Sequence, residues 1–169
     1  MAPAPTKKDL IAALKKSGDD LAKKVERLDE AALAQGRYEN GWTAKQILAH
    51  LASIEWTYKR LVENAHQPRA AARPQAEAGA PGEPAPAGNP IDDYNARQVA
   101  RRADKTVKEL VQEFRENRAG TIAAVESCSD DLLAQETRTA GGAQGTLAEV
   151  IMFVAVQHVE QHTRDLVGG

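Results

Sequence analysis

The chain has 169 residues, with 22 basic against 24 acidic side chains and a formal net charge of −2. A balance so near neutral, with both signs interspersed, excludes the basic footprint that nucleic acid or an anionic membrane surface requires. The single cysteine, Cys128, excludes an internal disulfide framework and fits a reducing, cytoplasmic compartment.

At this length one domain, 1–169, is expected, long enough for a substantial core. The opening "MAPAPTKKDLIAALKK" lacks the unbroken apolar stretch of a signal peptide, because lysines flank a short amphipathic run. Leu10, Ile11, Leu14, Leu21, Val25 and Leu28 recur at helical spacing and predict a first helix over roughly 7–28, capped by Thr6 with Asp9 three places on. "DEAALAQG" at 29–36 adds a short helical turn. Thr43 is the N-cap of a second helix, about 44–64, whose buried face is Ile47, Leu51, Ile54, Tyr58 and Leu61.

Residues 67–90, "QPRAAARPQAEAGAPGEPAPAGNP", defeat both helix and strand periodicity and read as a long connection. Helical character returns at Ile91. Thr106 with Glu109 forms a fresh capping box, which predicts a break near Asp104 before the third helix continues to about 126. "AGGAQG" at 140–145 is a loop, and Thr146 with Glu149 opens a last helix ending near Leu166. Its apolar run "VIMFVAV", 150–156, is too short to span a bilayer. No strand is expected. The fold class predicted is all-α, a four-helix bundle.

Three of the four histidines point inward. On the last helix Leu147, Ile151, Val154, His158 and His162 fall within about 80° of one another at roughly 100° per residue. His158 lies near the middle of that stripe and His162 at its side. On the second helix His50 stands about 60° from the centre of the buried face. Two readings are open: hydrogen-bonded core histidines, or metal ligands. An i,i+4 pair has Cβ atoms about 5–6 Å apart, from which both rings can reach one ion at nitrogen–metal distances near ~2.1 Å. His50 would supply a third ligand. For the three to share one level, the start of the second helix must lie beside the end of the last. That demands an up-down-down-up bundle with a long crossover between the second and third helices, where 67–90 falls.

"HVEQH" is not the zincin motif, since Val159 stands where the general-base glutamate would follow the first histidine, and Glu160 is rotated about 200° from His158. Glu39, Asn40 and Glu55 are the nearest acid–base candidates in sequence to His50. None has a diagnostic spacing, so no catalytic acid or base is assigned. Cys128 reads as a surface or half-buried thiol, and His66 as solvated. Trp42 reads as packing at a helix start, Trp56 and Tyr58 as core residues or a pocket lining. Arg97 and Arg101 lie on a solvated face that could meet an anionic substrate.

"GWTAKQILAHLASIEW" (41–56), "NARQVARR" (95–102) and "VQHVEQHTRDL" (156–166) resemble the DinB/YfiT-like metalloenzyme superfamily, especially its mycothiol-dependent, maleylpyruvate-isomerase-like branch. The resemblance follows element order over nearly the whole chain. It implies a four-helix bundle with His50, His158 and His162 on a divalent ion (nickel, zinc, iron or manganese), and a homodimer. It also implies thiol-S-transfer or hydrolysis on a small molecule, with a low-molecular-weight thiol such as mycothiol as a possible co-substrate. The isomerase-like branch often places glutamate where His158 stands. Its full enzymes carry a second domain, whereas this chain stops three residues past Leu166, so isomerisation of maleylpyruvate itself is not expected. The alternative is a stress-related bundle that binds metal or a small ligand without turnover.

Overall fold

Four capped helical runs build the protein in a computed structural model that describes residues 4–37, 41–66 and 90–168. Helix α1 (Lys7–Val25) starts at the Thr6/Asp9 capping box, and a short α2 (Glu30–Ala34) follows. Helix α3 (Ala44–Ala65) starts at Thr43, whose hydroxyl accepts from Gln46 N–H while the Gln46 side chain accepts from Thr43 N–H. The expected break near Asp104 is present. Helix α4 (Pro90–Ala100) ends there and α5 (Val107–Ser127) begins at the Thr106/Glu109 box. Arg102 and Lys105 both bind Glu113, at 2.6 and 2.8 Å, and so pin the turn between α4 and α5 to the side of α5.

Contacts between helices fix their directions. Along α3 and α5 the partners advance together: Lys45 donates to Ala103 O, Asn117 to Ala52 O, and Thr121 to Glu55 O. These two helices are parallel. Along α1 and α5 they run in opposite senses, Lys7 reaching Glu126 O and Glu26 facing Arg115. The last helical run is antiparallel to α3, because the ring of His50 near the start of α3 meets those of His158 and His162. The order is therefore up-down-down-up, as the histidine positions demanded. The connection invoked for the crossover, 67–89, lies outside the described residues.

Two differences from the sequence reading concern the C-terminal third. A short α6 (Asp130–Leu133) leads into an antiparallel pair, β1 (Glu136–Arg138) and β2 (Gln144–Thr146), where no strand was expected. Three-residue strands are too short for a period-2 pattern to register. Thr139 N–H donating to Ala143 O, with Gly142 at φ 87°, closes the turn. The last helix begins at the Thr146/Glu149 box as α7 (Leu147–Ile151), widens into a π-helical segment (Met152–Gln157) and resumes as α8 (His158–Val167).

That wider turn changes which residues face the core. Leu147, Ile151, Ala155, Val159 and Thr163 are all buried, a run of four-residue steps. Val154, placed on the stripe by uniform α-helical rotation, is only half-buried, and Phe153 is 57% exposed. His158 and His162 therefore flank the buried line instead of sitting on it. The far end is tied down by Gly168, a left-handed helix stop (φ 90°), and by Arg37, whose Nε donates to Leu166 O at 3.2 Å.

One buried polar network crosses the bundle. Glu55 (0% exposed) accepts from Arg118 Nη2 at 2.9 Å and from Thr121 at 3.2 Å. Arg118 Nη1 also reaches Leu14 O and Ser17 on α1. Its Nε lies 2.9 Å from Glu55 Oε1, but the N–H is not aligned for a hydrogen bond. Burial pushes the Glu55 carboxyl up to about 7, against the pull of Arg118 and Thr121.

Candidate metal centre

The lead-in to α3 is held before the helix begins. Arg37 N–H donates to Trp42 O, and Ala44 N–H to Gln35 O, in a single antiparallel bridge that ends at Thr43. His50 follows two turns inside α3, 5% exposed, with the Trp42 ring 5.3 Å away and tilted by 48°. His158 and His162 come from the start and second turn of α8, both half-buried.

The three rings meet. Centroids lie 5.7 Å apart for His50–His158, 5.3 Å for His50–His162 and 4.4 Å for His158–His162, every pair near edge-on. One ring nitrogen from each falls within 4.8 Å of the other two, a grouping that could hold a metal ion. The Nδ1 atom of His50 is buried with no hydrogen-bond partner. An orphan of that kind costs about 1–3 kcal/mol, and a bound cation is one way to satisfy it. Two further groups touch these rings: Tyr58 Oη stands 3.4 Å from His158 Nδ1, and Asp165 Oδ2 3.5 Å from His162 Nδ1.

Burial favours uncharged rings here, since each imidazolium would be poorly solvated and would repel its neighbours. His50 is pushed down to about 3, by burial first and then by His162 and His158. His158 falls to about 4 by burial and by His162. His162 is also lowered, by burial, with Asp165 opposing. Three neutral imidazoles at pH 7 are in the form that ligates metal. The donor set therefore fits a divalent ion.

Other sequence candidates lie elsewhere. Glu55 belongs to the buried network with Arg118, while Glu39 and Asn40 fall outside the described residues. Cys128 is buried (2% exposed), deeper than expected; its thiol, pushed up by burial, faces Ala124 O. His66 caps the end of α3 against Val62 O. Arg97 and Arg101 are exposed, and Glu160 lies towards Lys16 of α1. Trp56 is half-buried beneath Arg60, whose guanidinium carbon sits 5.3 Å from the ring centre. A shallow cleft of about 570 Å³ lined by Lys7, Lys8, Ile11, Ala12, Lys15 and Asp130 opens at the other end of the bundle. The contact of Tyr58 with His158 was not anticipated from sequence; no spacing rule links residues on separate helices.

The model of the DinB superfamily matches residues 13–166. Among solved structures, the mycothiol-dependent maleylpyruvate isomerase superposes with a TM-score of 0.70 at 18% identity, over 96% of this chain and 61% of that one. A mutant of that isomerase gives 0.69 at 16%, over 97% and 62%. This chain thus spans less than two thirds of the isomerase. YfiT from Bacillus subtilis, described as a probable metal-dependent hydrolase with an unusual four-helix bundle topology, gives 0.68 at 18%, over 98% of this chain and 89% of its own. No curated protein sequence matches. Identities this low carry the fold alone, but the family match runs from α1 to α8, and the chain belongs to the DinB superfamily.

Proposed function

We propose that His50, His158 and His162 bind one divalent ion, nickel, zinc, iron or manganese, and that the chain is a metal-dependent enzyme. Its reaction on a small molecule would be thiol-S-transfer or hydrolysis. The observation that carries this reading is the convergence of three imidazoles from two antiparallel helices, one with a buried nitrogen that has no hydrogen-bond partner among the described residues. The mycothiol dependence of the similar isomerase and the metal dependence described for YfiT support the same chemistry.

A divalent ion in this place would supply Lewis acidity, polarising an electrophile and making water or a thiol a better nucleophile near neutral pH. Three protein ligands leave coordination positions for substrate, the feature that separates catalytic from closed structural sites. The histidines hold and orient; Trp42 lends an aromatic wall beside His50. Among the described residues the metal-capable group consists of the three histidines, and in this reading the nucleophile is exogenous. Water serves in hydrolysis, and a low-molecular-weight thiol such as mycothiol in transfer.

Elemental analysis of purified protein tests this directly. About one divalent ion per chain is expected, with the content of His50→Ala and His158→Ala near zero. Wild-type protein that takes up no ion after reconstitution would end the proposal. The three-ligand site also admits a second reading, a binding module without turnover. Stoichiometric metal together with inactivity across thiol-transfer and ester, amide and lactone hydrolysis panels would favour it.

A further inference from the structure

We propose that Tyr58 is the positioning residue of the three-histidine site, its hydroxyl holding the Nδ1 edge of His158 so that Nε2 faces the ion. The inference rests on the reading that these histidines bind metal. It adds the group that aims one of them.

Tyr58 lies two turns beyond His50 on the same helix, with its ring packed in the apolar cluster around Leu14, Val62 and Ile151 and only 7% exposed. Among the described residues the sole hydrogen-bond partner of its hydroxyl is His158 Nδ1, at 3.4 Å, the long end for such a bond. The carboxylate one turn back does not compete for the ring. Both oxygens of Glu55 are taken up by Arg118 and Thr121. A neutral imidazole that ligates through Nε2 carries its proton on Nδ1, and a fixed acceptor for that proton sets both tautomer and ring angle. Tyr58 is placed to be that acceptor. It also ties His158 on α8 to the helix that carries His50, so two of the three ligands are oriented from one rigid element.

The full chain loaded with Co²⁺ or Zn²⁺ provides the test, comparing wild type with Tyr58→Phe, which keeps the ring and removes only the hydroxyl. Chelator competition is expected to show a ~10–100-fold weaker affinity in the variant at unchanged stoichiometry. The visible absorption of the Co²⁺ form should shift. If wild type binds metal and Tyr58→Phe matches it in affinity and spectrum, the positioning role is overturned while the metal reading stands. If wild type binds none, both fall. Should Tyr58→Phe fail to fold, long-range ¹H–¹⁵N correlation on Zn²⁺-loaded wild type decides. A proton on His158 Nδ1 supports the proposal, and a metal-bound Nδ1 overturns it.

Discussion

Glu55 and the site histidines are buried titratable groups whose ionisation burial opposes, and the pH consequences have opposite signs. The folded-state pKa of Glu55 is raised, to about 7 from 4.5, so its contribution is present in full below 4.5 and is lost as pH rises through 7. His50 and His158 are lowered, to about 3 and about 4 from 6.5, so theirs is present above 6.5 and lost as pH falls through those values. The two histidine shifts together exceed the single carboxyl shift. The ion-free protein is therefore expected to lose stability on acidification from pH 6.5 to 4. Urea midpoints measured across that range check this, and His50→Asn should flatten the slope. A midpoint that climbs towards pH 4.5 would mean that Glu55 dominates.

Helix starts were readable where a capping box sets them. Thr6, Thr106 and Thr146 each announced a helix by a carboxylate three residues on, and all three boxes are present. The i,i+4 histidines and the inward His50 were readable for the same reason, since helical rotation is a local property. The π-helical turn was not, because it answers to how α7 and α8 must each face the core, and that depends on α1 and α3. Likewise Glu55 and Arg118, 63 residues apart, and Tyr58 and His158, 100 apart, are joined only once the bundle has formed. A π turn holds about one residue more than the same α-helical length needs. Removing that residue should restore regular α-helix while both flanks keep their faces. Deletion of Phe153, which is mostly exposed, is thus expected to retain metal content and to change stability by under about 1 kcal/mol, or about 2–4 °C in melting temperature. Circular dichroism melts with elemental analysis would show it. Metal loss in a folded deletion protein would mean instead that the wide turn aims the histidines.

At the scale of the molecule, the histidines bridge α3 and α8, the helices that begin and end at the same pole of the bundle. No helix among the described residues is long and apolar enough to cross a membrane. An ion bound only by the folded state stabilises by mass action, about 2.7 kcal/mol at a free concentration 100 times Kd. Chelation should then lower the melting temperature by about 5–10 °C, and a His50→Ala protein should melt alike with and without chelator. Identical wild-type melts in both conditions would count against a folded-state ion.

The bond from Arg37 to Leu166 O bears on how the ion proposed for that pole would enter and leave. His162 rides in the closing turns of α8, so fraying of those turns alone would uncouple one imidazole while the other two stay seated. An ion held there would then exchange with the surrounding pool without global melting, and the Arg37 guanidinium on the final turn would act as the latch that slows it.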